Sequence, residues 1–363
     1  MTAQTHQWAA AFKCIRDGGA LIRKERGSHA QTTDSRQMLR LSTRISDMMN
    51  MKQRVSHRPG GQSRRGLTFL LVLCSLVAAT RGGFAQSSDR LPPGFRFLTI
   101  GGGARAVGLA ETMVADGSDP FVIEYNPAGL AALDRSALSF SHNSFFQDSR
   151  GEYISVAGPV GRWACGARIG YMGVDNIPRR EGPTEQPLAY YDASNGVFQA
   201  AGARTLNEHL SAGVSAAYVL EHIDVRTAQS FVFGLGLQYR QSDRLMFGAA
   251  FANLGPQTHF VDRSFRMPDL FRIGATWQHR LGTLRAELVA PDNESARWNF
   301  GVEATPDPRL ALRAGLKVGY STQTFAAGFG AHTLNGRIGI DYAFAPYTND
   351  LGSTHRFGLT LRP

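Results

Sequence analysis

The chain has 363 residues, a formal charge of +10, 40 glycines and three cysteines. A hydrophobic content of 43% is too high for a disordered chain, and three cysteines are too few for a disulfide scaffold. The mean hydropathy of −0.20 excludes a bundle of transmembrane helices.

The net positive charge comes entirely from the first 85 residues, which hold fourteen Lys and Arg against four Asp and Glu. Residues 86–363 hold 25 basic and 25 acidic residues, so their formal charge is zero. Because a nucleic-acid partner calls for a basic binding region, no nucleic-acid binding is predicted.

Residues 51–85 resemble a secretory signal peptide. A basic stretch precedes thirteen apolar residues, 67–79, and a small-residue cleavage site ends at Ala85. Thirteen residues are too few to cross a ~30 Å hydrocarbon core, so a single membrane anchor is the less favoured alternative. Residues 1–50 are interpreted as an over-extended start or a disordered extension. The sequence therefore predicts export, with a bacterial outer-membrane location.

Short segments that alternate in polarity at every second residue fill the chain from residue 136 onward. In residues 310–320, Leu and Val side chains fall on one face, whereas Arg313, Gly315 and Lys317 fall on the other. This period of two predicts β-strands. Fourteen such segments can be counted, the first over residues 137–145 and the last over residues 356–361.

The composition of the two faces predicts a membrane barrel. One face is apolar, and the other is rich in Gly, Ala, Thr, Gln and scattered Arg, with Lys317 as the one lysine after residue 85. Apolar-out and polar-in alternation with an even strand number is typical of an antiparallel transmembrane β-barrel, which we predict for residues 136–363. A soluble barrel or sandwich is the alternative. Long outer loops are expected at residues 175–196, 220–230, 252–269 and 345–355.

Residues 86–135 have little strand character and are predicted to form a helical or irregular hatch that plugs the barrel. Residues 104–115 are expected to form a helix of three turns. A second helix is expected to begin with Asn126 as its cap and Pro127 at its first position. A periplasmic tail beneath the barrel is the alternative.

Several motifs resemble the PorV/PorQ family, which belongs to the FadL-like outer-membrane transporters. They include Gly103 to Gly108 with Arg105, the block Tyr125-Asn126-Pro127-Ala128-Gly129-Leu130, and Asn253-Leu254-Gly255-Pro256. The resemblance implies a fourteen-stranded barrel with an N-terminal hatch, and two candidate functions. One is a binding or shuttle component of type IX-like protein secretion, with secreted cargo or secretion-system proteins as partners. The alternative is a transporter for hydrophobic small molecules.

Charged residues on the non-lipid face are the candidate site residues of the barrel, because burying charges toward lipid is costly. A structural salt-bridge ladder that holds the hatch is favoured over a substrate site. These residues are Arg272, Glu303, Arg313, Lys317, Asp341 and Arg356.

Motifs of catalysis and of cofactor binding are missing from the sequence. The glycines at 101–103 lack the spacing of a nucleotide loop, and no His-Glu-x-x-His, Gly-x-Ser-x-Gly or Cys/His cluster occurs. We therefore predict no enzyme activity and no cofactor. The predicted partners are membrane lipid and either a hydrophobic ligand or secretion proteins.

Overall fold

A computed structural model of the chain describes residues 91, 93–180, 182, 186–260, 263–292, 294–333 and 335–363. The predicted signal peptide at 51–85 and the segment 1–50 lie outside the described residues.

Fourteen strands pair in antiparallel order and close into a barrel through hydrogen bonds between β1 and β16. Two further short strands, β8 and β9, form a separate hairpin. The predicted fourteen-stranded antiparallel barrel is confirmed. The strands are β1 Ala137–Ser144, β2 Arg150–Val160, β3 Trp163–Arg179, β4 Ala189–Thr205, β5 Leu210–Ile223, β6 Arg226–Ser242, β7 Leu245–Leu254, β8 Thr258–Phe260, β9 Arg263–Phe265, β10 Leu270–His279, β11 Gly282–Pro291, β12 Arg297–Asp307, β13 Leu310–Val318, β14 Phe325–His332, β15 Ile338–Tyr347 and β16 Gly352–Leu361.

The exterior of the barrel is apolar and the interior is polar. On β13, Leu312 and Leu316 are each 49% exposed, whereas Arg313 and Lys317, which directly follow them in the chain, are 5% and 7% exposed. A barrel that folds in water buries its apolar side chains and exposes its charges. The opposite arrangement disfavours the soluble barrel or sandwich.

The part of the chain that the structure describes contains no helix long and apolar enough to cross a membrane.

The strands β3 to β6 extend well into regions that the sequence predicted to be loops. β3 continues to Arg179, and β5 and β6 are joined by a two-residue turn at 224–225 instead of a loop over 220–230. At the base of the β5–β6 extension, Val219, Ala228 and Val232 pack in one buried cluster with Phe95 and Met267. Asp175 and Asn176, which fall in the predicted loop 175–196, lie at a bulge, where the β3–β4 register shifts between Val174 and Ile177.

Within the N-terminal segment, residues 93–136, the stretch 101–130 is almost entirely buried inside the barrel and contacts strands around its circumference. Its carbonyls accept hydrogen bonds from side chains on β1, β2 and β4, namely from Asn143, Ser155 and Gln199. The segment contains one short α-helix, α1 (Ala104–Gly108), and three 3-10 helices, Arg96–Thr99, Pro120–Glu124 and Pro127–Ala132.

The expected helix over residues 104–115 is wrong beyond Gly108. Ala110 and Glu111 have positive φ angles of 52° and 62°, so the chain turns instead of continuing the helix. This turn fits against the wall because β12 and β13 present paired glycines, Gly301 and Gly315. A Cβ atom at Gly315 would lie 2.7 Å from the Cβ of Ala110.

Candidate functional site

The charged residues that the sequence placed on the non-lipid face all lie inside the barrel, each at most 9% exposed. Arg272, Lys317 and Arg356 lie nearer to the loop end of the barrel, where odd-numbered barrel strands meet the longer loops. Glu303, Arg313 and Asp341 lie together in a second group. The structure therefore divides the predicted set between two sites.

The second group is a continuous ion-pair network centred on Glu303, which we call the Glu303 network. Arg105 of α1 donates from Nε and Nη2 to the Glu303 carboxylate at 3.1 and 3.0 Å. Arg313 donates to Glu303 at 2.7 Å and to Asp341 at 2.6 Å. Arg285 binds Glu303 and also Asp116 of the N-terminal segment, at 3.2 and 2.8 Å. The network ties the N-terminal segment to β11, β12, β13 and β15.

The first group, near the loop end, has fewer neutralising partners. Arg272 donates to Glu287 at 2.7 Å, and the Lys317 ammonium lies 3.1 Å from Glu111. Arg356 is 1% exposed and donates to the carbonyl oxygen of Gly101. Among the described residues, no carboxylate lies within 4.0 Å of the Arg356 guanidinium.

The motif residues of the N-terminal segment hold its second half against the wall. Asn126 caps the 3-10 helix Pro127–Ala132 by accepting from the Ala128 N–H at 3.0 Å, and its Nδ2 donates to the Leu237 carbonyl of β6. Gly129 lies where any side chain would overlap the carbonyl of Asp116. These residues therefore have packing and capping contacts.

The loop motif follows β7 at a point where the chain leaves the wall. Asn253 has a φ of 62° and donates from Nδ2 to the Pro268 carbonyl at 3.2 Å. Gly255 permits close approach, since a Cβ there would lie 2.7 Å from the Phe231 carbonyl oxygen. Pro256 is exposed in the same turn.

Four buried charges that pair with the predicted residues were missed from the sequence. On β11, Arg285 and Glu287 alternate with the outward Leu284 and Leu288, so the period-two pattern contained the signal for them. The other two, Glu111 and Asp116, lie in the irregular N-terminal segment. Since that segment has no strand periodicity, the sequence offered no comparable signal.

A cavity of about 200 Å³ opens at the loop end of the barrel, and we call it the loop-side cavity. Its walls combine apolar and charged side chains, so the hydrophobic pocket expected of a transporter is only partly apolar. The residues that line it include Ile100, Met267, Asp269, Leu270, Arg272, Val289, Asp292, Lys317, Tyr320 and Arg356.

A second cavity of about 20 Å³, the side cavity, lies against the wall between β6 and β7. There Phe233 pairs with Leu254 and Leu235 with Phe251, so Gly234 faces two residues, Ala252 and Asn253. Such a bulge locally disrupts the ladder of hydrogen bonds. At about 20 Å³ the side cavity is large enough for a single water molecule.

Tyr125 lies between the two cavities. It lines the side cavity, and its ring lies 5.2 Å from the guanidinium of Arg272, which lines the loop-side cavity. The Tyr125 hydroxyl is buried without a hydrogen-bond partner among the described residues. Burial, together with Glu111 and Glu124 nearby, raises the pKa of this hydroxyl well above its usual value.

Within the described part of the chain, no group of three or more His, Cys, Asp or Glu side chains is placed to hold a metal ion.

The barrel shares its fold with solved bacterial transporters. The toluene transporter TbuX of Ralstonia pickettii superposes with a TM-score of 0.54 at 14% identity, over 72% of this chain and 98% of TbuX. The toluene transporter TodX of Pseudomonas putida superposes with a TM-score of 0.52 at 13% identity, over 72% of this chain and 97% of TodX. At these identities the likeness shows a shared barrel fold and nothing more specific.

A more specific sequence similarity is to the family described as "Uncharacterised protein family (UPF0164)", whose profile matches residues 74–188. A UPF0164 protein of Treponema pallidum (strain Nichols) is 26% identical over 201 residues, which cover 51% of this chain and 58% of that protein. The chain thus spans little more than half the length of this curated relative.

Proposed function

We propose that this chain is a bacterial outer-membrane barrel that transports small molecules with a substantial apolar part. The apolar exterior supports a location in a membrane, and the signal peptide predicted at 51–85 supports export. The fold shared with the toluene transporters TbuX and TodX favours transport over the secretion role that the sequence first suggested. The secretion role gains no support from these comparisons.

The observation that carries the proposal is the pair of cavities on either side of the N-terminal segment. Thr99 and Ile100 line the loop-side cavity, whereas the preceding Leu98 lines the side cavity. A molecule entering at the loop end would therefore need to pass residues 98–101 and Tyr125. It would then reach the interrupted wall at Gly234 and Asn253, from which it could leave sideways.

In this proposal residues 86–135 act as a hatch that closes the barrel of residues 136–363. The described part of the hatch fills the interior, and its ion pairs to Glu303 and Lys317 hold it in place. Because the side cavity has room for only one water, transport in this proposal requires movement near residues 98–101.

A disulfide across the β6–β7 wall tests the sideways exit. Phe233 and Leu254 are register partners beside the bulge, so Phe233→Cys with Leu254→Cys should form a covalent staple there. The background would carry Ser in place of Cys14, Cys74 and Cys165. In vesicles with a lipopolysaccharide outer leaflet, which slows passive entry of apolar molecules, the initial rate of uptake of radiolabelled toluene should fall to that of protein-free vesicles on oxidation and recover on reduction.

A matched staple elsewhere in the wall is the control. Phe300 and Leu316 are register partners on β12 and β13, both facing outward. The pair Phe300→Cys and Leu316→Cys should leave uptake unchanged on oxidation. Equal inhibition by both staples, or by neither, would contradict an exit between β6 and β7. No uptake by the unstapled protein would contradict transport itself.

A further inference from the structure

The loop-side cavity has a mainly cationic floor, in which Glu111 pairs with Lys317, and a rim of mixed charge, in which Arg96 and Arg297 pair with Glu294. Its floor is formed by Arg272, Lys317 and Arg356, which lie inside the barrel and are 1% to 7% exposed. Its rim includes Asp269 and Asp292, which lie in the loops flanking β10 and β11. Apolar side chains between them are Ile100, Met267, Leu270 and Val289.

The floor has cationic groups that the protein does not fully satisfy. The Nε atoms of Arg272 and Arg356 are buried without a hydrogen-bond partner in the described residues. The Arg356 guanidinium instead faces the Phe145 ring at 4.9 Å, the Gly101 carbonyl and the Tyr347 hydroxyl. Since a buried charge without a counter-charge is costly, an anionic group placed on this floor would be bound favourably.

The rim contains an acidic side chain that lacks a hydrogen-bond donor in the described part of the chain. Arg266 forms an ion pair with Asp292, whereas the Oδ1 atom of Asp269 is buried without a hydrogen-bond partner among the described residues. Burial and the neighbouring Asp292, partly offset by Arg266, raise the pKa of Asp269 to about 6. A cationic group of a ligand would relieve this repulsion and supply the missing donor.

We propose that the loop-side cavity binds a small zwitterion with a hydrocarbon body, its anionic group on Arg272 and Arg356 and its ammonium group at Asp269. The cavity volume of about 200 Å³ is below the ~300–1,000 Å³ of drug-sized sites, which fits a small ligand. The inference rests on the proposed transport function and specifies the class of substrate that enters at the loop end.

Calorimetric titration of the purified full chain in detergent tests the site. The probes are 4-aminobutyrate, 6-aminohexanoate and 8-aminooctanoate, each compared with its carboxylate and amine analogues, and toluene. At least one zwitterion should bind about tenfold or more tightly than both of its singly charged analogues and than toluene. If no zwitterion exceeds its carboxylate analogue, or if toluene binds as tightly, the proposal is wrong.

The variant Asp269→Asn tests whether Asp269 binds the ammonium group of the ligand. It should reduce affinity for the preferred zwitterion to that of the carboxylate analogue, while the carboxylate itself binds as before. Asp148→Asn, in an exposed loop at the same end, is the matched control and should bind like the unmodified protein. An Asp269→Asn protein that keeps its preference for the zwitterion would overturn the assignment of the rim.

Binding and uptake distinguish this inference from the proposed function. Zwitterion binding without uptake into vesicles would contradict transport and leave the site standing. Uptake of toluene without zwitterion binding would contradict the site and leave transport standing.

Discussion

Glu303 shows how single residues hold the interior together. Its carboxylate accepts hydrogen bonds from Arg105, Arg285 and Arg313, and the side chain is 11% exposed. Three guanidinium groups around one carboxylate are stable only while that charge is present. The network is completed by Asp116 and Asp341, so three acids balance three arginines, and removal of any acid leaves one positive charge in excess inside the barrel.

We expect Glu303→Gln to lower the free energy of unfolding by about 3–5 kcal/mol, the usual cost of breaking a buried ion pair. Urea titrations of the detergent-folded protein, followed by heat-modifiable gel migration, would measure the loss. Asp307→Asn is the matched control, because Asp307 pairs with Arg309 at an exposed turn, where water screens such pairs and they contribute little to stability. Equal losses in the two variants would contradict a structural role for the network.

Asp269 makes stability depend on pH. Its pKa is raised from 3.8 to about 6 in the folded protein, mainly by burial and then by Asp292. The folded state therefore binds this proton more tightly than the unfolded state, and stability falls as pH rises between about 4 and 6.

Asp269→Asn should remove that dependence. The variant should be more stable than the unmodified protein at pH 7, and the difference should vanish near pH 4. Urea midpoints measured for both proteins at several pH values would show the difference. A constant difference across this range would show that Asp269 does not titrate as described.

At the scale of elements, packing of the N-terminal segment against β12 and β13 depends on small residues. Gly301, like Gly315, lies too close to this segment for a side chain. A Cβ atom at Gly301 would lie 2.8 Å from the Leu109 carbonyl oxygen. The wall is thus shaped for the turn at residues 109–111. These glycines serve close packing of two backbones.

Gly315→Ala should therefore displace the turn, with a cost of about 1–3 kcal/mol typical of overpacking. Limited proteolysis should then cleave the N-terminal segment faster in the folded barrel. Gly202→Ala is the control, since a Cβ there meets only the Trp163 ring, at 3.9 Å. If Gly315→Ala resists proteolysis as well as Gly202→Ala does, close packing at this turn is not required.

Some properties of the strands could be predicted from the sequence, whereas others could not. Period-two alternation predicted the fourteen strands and placed Arg313 and Lys317 inside, because one face must meet lipid and the other the interior. The length of β3 to β6 was not predictable from the same rule. Part of it rests on Phe95 and Met267, which are distant in sequence and pack with Ala228 at the base of the β5–β6 extension.

The partners of the interior charges were unpredictable for a similar reason. Arg105 and Glu303 are 198 positions apart and meet only when the barrel has closed around the N-terminal segment. Alternation indicates the face of each residue but not the neighbour opposite it. Lys317 was therefore placed inside correctly, while its partner Glu111 was missed.

For the whole molecule, the central claim is that the apolar exterior lies in a lipid bilayer. All three tryptophans of the described chain face outward: Trp163, Trp277 and Trp298 are 50%, 44% and 48% exposed. Trp163 and Trp277 lie near the turn end and Trp298 near the loop end. Aromatic residues at both ends of the apolar band are typical of membrane barrels.

Fluorescence quenching by brominated lipids tests this claim most directly. A Trp8→Phe protein, in which only these three tryptophans remain, would be reconstituted into vesicles with bromine at defined acyl-chain depths. We predict strong quenching, greatest for bromine near the headgroups and weaker for bromine at the bilayer centre. Emission unchanged by brominated lipid at every depth would contradict a membrane-embedded barrel.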